Sequence, residues 1–276
     1  WATANSMNTG RYGLAGAGTQ TAALGFAGNT PSGTTATESY NGTNWTEVND
    51  MNSARRYLAG AGTQTAALGF GGAPGPQTIT ETWNGTNWTE VNDLNTARRA
   101  LAGCGTNTAA LAFGGNASYL TVTENYNGTN WTEVNDLNTG RAYLAGCGTT
   151  TAALAIGGGT FPATAVTELW NGTNWTEVND MNTARLLLAA AGTQTAALGF
   201  GGYFSPPTTT TAVTENWNGT NWTEVNDLNT ARQILAGTGT NTAALAFGGR
   251  AAAFTAALAT TEEFSETGGT TTIDTE

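Results

Sequence analysis

Short alternations of large and small residues run along the chain, separated by clusters of Gly, Thr, Asn and Pro. In Ala66–Phe70, Leu68 and Phe70 alternate with Ala67 and Gly69, which is the two-residue period of a β-strand. No stretch keeps the 3.6-residue period of an amphipathic helix. Around this segment we predict four strands, named a to d in chain order: 57–63, 66–70, 78–83 and 87–91. Tight Gly-Thr and Asn-Gly turns would join a to b and c to d.

One phrase recurs along the sequence, Asn-Gly-Thr-Asn-Trp-Thr-Glu-Val-Asn-Asp-(Leu/Met)-Asn-(Thr/Ser)-(Ala/Gly)-Arg. Its intact copies are spaced by 43, 43, 44 and 47 residues. A further copy is divided between the termini, because 1–11 match 45–55 and 261–264 match 37–40. The chain therefore contains six units, and each is expected to form four strands.

Four antiparallel strands in a unit of this length predict an all-β fold, a six-bladed β-propeller built as a single domain over 1–276. Blades pack face to face, so we expect both faces of each strand to be buried. The outer strand 1–4 is expected to complete the C-terminal blade and leave no open edge, with 270–273 as a competitor for that position. The repeats are approximately 5–48, 49–91, 92–134, 135–178, 179–225 and 226–264, followed by a C-terminal tail, 265–276.

The units share a double glycine after strand b, spaced aromatic residues in strands c and d, and an arginine after strand d. In the second unit these are Gly71, Gly72, Trp83, Trp88 and Arg98. This pattern resembles the Kelch repeat over nearly the whole chain, with Ala27 replacing the first glycine in one unit. The resemblance implies a ring of blades with strand a at the axis and strand d outside.

The amino-acid composition excludes several kinds of binding partner, catalytic site and metal site. All nine basic residues are Arg, the formal net charge is -11 and there is no His. Such a charge disfavours binding to nucleic acid or to an anionic membrane. The absence of His excludes Ser-His-Asp and Cys-His catalysis and His-type metal sites. We expect no cofactor, no metal and no membrane insertion, and we interpret Cys104 and Cys147 as small core residues of strand a.

Two sites vary between the units. The first is the pair after each repeated Arg, and the second is the loop between strands b and c, at 29–37, 73–80, 116–123, 159–167, 203–214 and 250–261. In a four-stranded antiparallel blade, the b–c and d–a connections emerge on the same face of the disc. We therefore expect one variable face and one nearly uniform face.

The aromatic residues outside the repeated positions all lie in these variable sites, together with the three arginines outside the repeated position. Aromatic rings and Arg are the residues that recognition surfaces concentrate. The candidate ligand-binding residues are Tyr12, Arg56, Tyr57, Arg99, Tyr119, Tyr143, Phe161, Tyr203, Phe204, Arg250 and Phe254. The alternative is that these side chains pin the loops over the blades.

The repeated residues are interpreted as structural. They are Trp1, Trp45, Trp88, Trp131, Trp175 and Trp222, and Arg11, Arg55, Arg98, Arg141, Arg185 and Arg232. A ring of repeated Glu and Asp could suggest catalytic carboxylates, yet a site for one substrate must break the symmetry. We expect these carboxylates to pair with the repeated arginines or to cap turns.

Two functions remain open from the sequence. The first is a non-catalytic module that binds carbohydrate through the variable face. The second is a structural or protein-interaction propeller in a cell-surface or virion assembly, favoured by a composition like that of bacterial or phage surface proteins. An enzyme is disfavoured, although Arg56, Arg99, Arg250 and Tyr57 could in principle form a sialidase-like site. A scaffold amplified without a selected ligand is a further alternative.

Overall fold

The computed structural model describes residues 1–115, 118–159, 162–205, 209–252 and 256–266. It contains six four-stranded antiparallel sheets arranged as the blades of a ring. Strands a to d are Ala15–Gly18, Ala23–Phe26, Thr37–Tyr40 and Trp45–Val48 in blade 1; Ala59–Thr63, Ala66–Phe70, Thr80–Trp83 and Trp88–Val91 in blade 2; Ala102–Gly105, Ala110–Phe113, Thr123–Tyr126 and Trp131–Val134 in blade 3. The six-bladed all-β prediction is confirmed.

The remaining blades repeat this order. Strands a to d are Ala145–Thr149, Ala152–Ile156, Thr167–Trp170 and Trp175–Val178 in blade 4; Ala189–Thr193, Ala196–Phe200, Thr214–Trp217 and Trp222–Val225 in blade 5; Ala236–Gly239, Ala243–Phe247, Thr261–Ser265 and Ala2–Ala4 in blade 6. The described residues include no helix that could span a membrane. The competing segment 270–273 lies outside the described residues, as does most of the tail.

The N-terminal strand closes the ring. Thr3 pairs with Glu262 in antiparallel register, so strand d of blade 6 comes from the opposite end of the chain to strands a to c. Trp1 packs its ring 4.9 Å from that of Phe200 and 5.3 Å from that of Phe264, centroid to centroid. The predicted closure by 1–4 is confirmed.

The core lies between neighbouring blades. Strand b is buried along nearly its whole length, and Leu68 and Phe70 are fully buried. The expectation that both faces of every strand are buried is wrong for strand d. There Trp88 is buried, whereas Thr89 and Glu90 are exposed, because no further strand covers the outer edge of the blade.

A buried ion pair stabilises the inner end of each d–a connection. In blade 2, Nη2 of Arg55 lies 2.8 Å from Oε1 of Glu81, and both side chains are almost fully buried. Nη1 of Arg55 donates to the carbonyl oxygens of Gly71 at 2.9 Å and Ile79 at 2.7 Å. Burial lowers the pKa of the Arg55 guanidinium, and the charge of Glu81 opposes that shift. The equivalent pairs are Arg11–Glu38, Arg98–Glu124, Arg141–Glu168, Arg185–Glu215 and Arg232–Glu262.

Candidate ligand-binding face

The two variable sites meet on one face of the disc. The residue after a repeated Arg pairs by backbone hydrogen bonds with the b–c loop of its own blade, as Arg56 does with Ala73. The corresponding described pairs are Tyr12–Asn29, Ala142–Gly159, Leu186–Tyr203 and Gln233–Arg250. This pairing confirms that both variable sites lie on the same face, which we call the variable face.

A closed ring of backbone hydrogen bonds surrounds the axis of this face. It is made by the second residue after each repeated Arg, and all six have φ between 52° and 63°. The N–H of Tyr57 donates to the carbonyl of Gly13 at 2.7 Å, and that of Gly13 to the carbonyl of Ile234 at 2.9 Å. The ring residues are Gly13, Tyr57, Ala100, Tyr143, Leu187 and Ile234.

This ring changes the predicted start of strand a. The sequence predicts that strand a of blade 2 begins at Tyr57, but it begins at Ala59. Tyr57 has a φ of 56°, which is left-handed and incompatible with a strand. A left-handed conformation costs a non-glycine residue about 1–2 kcal/mol. The interblade hydrogen bond at each ring residue offsets part of that cost.

Two tyrosine rings rise from the axial ring. The centroids of Tyr57 and Tyr143 lie 6.3 Å apart in an edge-to-face arrangement at 86°. In the hydrogen-bonded ring, the small Ala100 lies between Tyr57 and Tyr143. On the side away from Ala100, the Tyr57 side chain lies close to Gly13. A Cβ at Gly13 would lie 3.2 Å from Cδ1 of Tyr57. The ring residues line a cavity of about 90 Å³ at the axis, which we call the mouth, and its lining includes Leu187 and Ile234.

A larger groove lies between blades 6 and 1. Its volume is about 580 Å³, within the range of small-ligand sites, and Tyr12 and Arg250 contribute to its wall. The guanidinium of Arg250 lies 4.8 Å from the ring centroid of Tyr12, in a cation–π contact. The side-chain amide of the buried Asn29 donates to the Tyr12 hydroxyl and to the Pro31 carbonyl. These contacts fix the Tyr12 ring beside the groove.

Groups at the mouth and groups at the groove both influence the pKa of the Tyr57 phenol. Burial raises its pKa, while the positive charges of Arg250 and Arg56 lower it. Tyr12 and Tyr143 interact with the same phenol. Arg250 lies over the Tyr12 ring, Tyr57 meets Tyr143 edge to face, and Arg56 precedes Tyr57 in the chain; we call these five residues the axial cluster.

The other predicted residues lie elsewhere on the variable face. Tyr203 and Phe204 form one strand of a short hairpin in the b–c loop of blade 5, paired with Thr210 and Thr209. Tyr119 is exposed in the b–c loop of blade 3, and Arg99 is half-buried in the same blade. Phe161 and Phe254 lie outside the described residues.

Sequence reasoning missed Asn29 and Gly13. Asn29 is 3 % exposed and orients Tyr12, but asparagine is so common in the turns of this chain that its identity carried no signal. Gly13 is different, because in blade 1 it occupies the position that Tyr57 and Tyr143 occupy in blades 2 and 4. A comparison of this position across the units could have shown that Gly13, which has no side chain, leaves space beside Tyr57.

Neither cysteine belongs to a binding site on this face. Cys104 and Cys147 are free, buried and part of strand a, and their thiols point at the carbonyl oxygens of Thr149 and Thr193. Burial raises the pKa of both thiols well above the ordinary value. Among the described residues no group of three or more His, Cys, Asp or Glu side chains could hold a metal ion.

Comparison with known proteins supports the architecture. No family model matches the chain, and no curated protein does. By contrast, 418 chains of solved structures match its fold. One, described as "Structure of YjhT", superposes with a TM-score of 0.79 over 95 % of this chain and 97 % of that chain, at 12 % sequence identity. The likeness is one of fold, and together with the six sheets it identifies the chain as a six-bladed β-propeller.

Proposed function

We propose that this Kelch-like propeller is a non-catalytic module that binds carbohydrate on its variable face. The observation that carries the proposal is the axial cluster, in which Arg250 lies over the ring of Tyr12 and Tyr57 meets Tyr143 edge to face, with Arg56 next to Tyr57 in the chain. Tyr and Arg offer large planar contact surfaces and directional hydrogen bonds. The adjacent groove has the volume of a small-ligand site.

The cluster suits a sugar ring for a physical reason. Each sugar presents patches of C–H groups beside hydroxyl groups, and tyrosine rings pack on the former while Tyr and Arg hydrogen-bond the latter. Tyr57 and Tyr143 supply rings at the mouth, and Tyr12 supplies one at the groove. Tyr57 and Tyr143 are half-buried, so their orientation is set before a ligand arrives.

A binding role without catalysis fits the carboxylates. Glu81 and its five equivalents are engaged in buried ion pairs with arginine, which leaves them no access to a ligand. The sequence also lacks His, the usual general base near neutral pH.

Binding to a broad glycan array tests the proposal, with the intact chain beside the Arg56→Ala, Tyr57→Ala double variant. Its matched control is Thr89→Ala, Glu90→Ala, which changes two exposed residues on the outer edge of the same blade. We expect glycan signal for the intact chain and the control, and at least a tenfold loss in the axial variant, as expected for about 1.4 kcal/mol or more of lost contact.

The alternative is a structural or protein-interaction disc in a surface assembly. An array with no signal, together with self-association that rises with concentration in light scattering, would favour that role. Signal that survives unchanged in the axial variant would mean that the axial cluster is not the glycan site.

A further inference from the structure

Two backbone segments meet closely beside the groove between blades 6 and 1. Gly10, the residue before Arg11, faces the b–c loop of blade 6, and a Cβ at Gly10 would lie 2.7 Å from the carbonyl oxygen of Ala257. Gly10 and Ala257 both line the groove. The N–H of Arg11 donates to the carbonyl of Leu258 at 3.1 Å, which holds the loop against this segment. This wall of the groove is therefore formed before a ligand arrives.

The opposite part of the groove carries a positive charge. Among the described residues that line the groove, Arg250 is the only charged one. Two backbone hydrogen bonds of 3.0 Å join Arg250 to Gln233, and the guanidinium lies 4.8 Å from the centroid of the Tyr12 ring. Arg250 is thus held through both its backbone and its side chain, with its charge beside the groove.

The guanidinium of Arg250 differs from those of the repeated arginines in its hydrogen bonding. Arg55 donates from both Nη atoms, to Glu81 and to two carbonyl oxygens. Arg250 is half-buried, and over the described part of the chain it forms no ion pair and its Nη groups have no hydrogen-bond partner. Its Nε is buried and unpaired, so the Nη groups are the part that a ligand can reach. The groove therefore holds a fork of donors whose charge no described carboxylate cancels.

The groove also contains hydroxyl-bearing residues. Tyr12 and Thr30 both line it. The side-chain amide of Asn29 donates to the Tyr12 hydroxyl, which leaves the hydroxyl's own proton for another partner. The Tyr12 phenol is therefore fixed in position and can still donate a hydrogen bond to a ligand.

Blade 6 lacks an acidic group that the other blades share on the variable face. In blade 1, Oδ1 of Asp50 accepts the N–H of Thr37 at 3.2 Å, at the start of strand c. The same contact is made in blades 2 to 5 by Asp93, Asp136, Asp180 and Asp227. Blade 6 has Ser6 at this position. An anion bound beside blade 6 therefore avoids the repulsion that such a carboxylate would add.

We propose that the groove between blades 6 and 1 binds a small molecule through a carboxylate, sulfate or phosphate group held by the Nη groups of Arg250. The guanidinium fork matches two oxygens of such a group, and charge-assisted hydrogen bonds are stronger than neutral ones. A volume of about 580 Å³ exceeds the space that one anionic group fills, so the rest of the ligand packs along Pro31 and Ala257. The site goes beyond the carbohydrate proposal, because it does not require the rest of the ligand to be a sugar.

The test is nuclear magnetic resonance of the intact chain, in which the arginine Nε–H signals are followed as sodium sulfate, sodium phosphate or sodium acetate is added. Sodium chloride keeps the ionic strength constant. We expect a saturable shift of the Arg250 signal and no saturable shift of buried, paired arginines such as Arg55. The backbone amide signals of Tyr12 and Gln233 report binding to the variants.

Four variants complete the test. Arg250→Gln should weaken binding of the anion roughly tenfold or more, and Arg250→Lys should keep part of the affinity because it retains the charge. Thr89→Glu, on the exposed outer edge of blade 2, is the matched control, since it changes the net charge by the same amount as Arg250→Gln and should leave binding unchanged. Tyr12→Phe removes the second donor and should weaken binding less than Arg250→Gln. Thermal unfolding of each variant establishes that the ring is intact.

The outcomes separate this site from the carbohydrate proposal. A saturable shift of Arg250 with any of the three anions supports the site, and the anion that binds most tightly identifies the preferred group. The absence of a saturable shift with all three would overturn the site and leave the glycan array to decide carbohydrate binding. Binding that persists unchanged in a folded Arg250→Gln variant would overturn it too, because the anion would then lie elsewhere. Anion binding at Arg250 beside a silent glycan array would support the site and contradict the carbohydrate function.

Discussion

At the scale of single residues, the repeated Arg and the variable residues beside it have opposite roles. Arg55 is 1 % exposed and donates to Glu81 and to two carbonyl oxygens. Its neighbour Arg56 is half-buried, and among the described residues no carboxylate forms an ion pair with it. Of these two adjacent arginines, one is therefore buried inside the blade and the other lies at the variable face.

The buried pair makes a first prediction about stability. Both oxygens of Glu81 accept hydrogen bonds, from Nη2 of Arg55 at 2.8 Å and from the N–H and side-chain amide of Asn52 at 2.7 and 2.9 Å. Glu81→Gln replaces one acceptor with an N–H₂ group that faces donors and leaves Arg55 charged without a counter-ion. We expect the free energy of unfolding to fall by about 3–5 kcal/mol, measured by chemical denaturation.

Glu90→Gln is the matched control, since Glu90 is exposed in the outer strand of the same blade. Its effect should stay within about 0.5 kcal/mol. Equal stability of the two variants would contradict a structural role for the buried pair.

At the scale of elements, neighbouring blades are joined by a hydrogen bond that recurs around the ring. The indole N–H of Trp88 in strand d donates to Oγ1 of Thr37, at the start of strand c in the preceding blade, at 3.1 Å. The other five pairs are Trp1–Thr214, Trp45–Thr261, Trp131–Thr80, Trp175–Thr123 and Trp222–Thr167. The repeated Trp therefore serves both as core and as an interblade donor.

A double-mutant cycle measures this bond. Trp88→Phe keeps an aromatic ring but removes the donor, and Thr37→Val keeps the shape but removes the acceptor. We expect each single variant to lose about 1–3 kcal/mol of unfolding free energy, because it leaves a buried polar group unpaired. The double variant should lose less than the sum of the two. Strict additivity would mean that the two groups do not interact in solution.

The fold was predictable because each element occurs six times. A period set by Trp45 and Trp88 defines the blade, and strand b was predicted with its observed bounds, Ala66–Phe70. The start of strand a was not predictable, since the left-handed Tyr57 is held by a bond from the next blade. The order of the strands in a blade was enough to predict that the two variable sites share one face. The contact of Arg250 with Tyr12 was not predictable, because it depends on loop paths across the junction of the first and last blades.

At the scale of the whole molecule, two devices close the ring at different radii. Near the axis, the N–H of Gly13 donates to the carbonyl of Ile234, joining blade 1 to blade 6. At the outer rim, the strand Ala2–Ala4 pairs with Thr261–Ser265. Trp1 additionally donates to Thr214 of blade 5 at 3.1 Å. At the outer rim, the N-terminal segment therefore joins blades 5 and 6 through noncovalent contacts.

This arrangement predicts that the first four residues stabilise the entire ring. Deleting 1–4 removes the outer strand of blade 6 and the aromatic contacts of Trp1 with Phe200 and Phe264, so these two rings lose their cover. Burying a large aromatic side chain is worth about 3–5 kcal/mol on the scale of Phe or Trp truncations. We expect a lower unfolding midpoint and, in hydrogen exchange, faster exchange concentrated in blades 5 and 6.

The matched control is Thr3→Glu, which gives blade 6 the exposed glutamate that Glu47 provides in blade 1, leaving the backbone pairing with Glu262 in place. Its stability should stay within about 0.5 kcal/mol of the original. If the deletion instead left exchange in blades 5 and 6 unchanged, the axial bonds alone would be sufficient to hold the ring closed. The expected loss of protection would show that the outer strand and the axial hydrogen bonds both contribute to closing the ring.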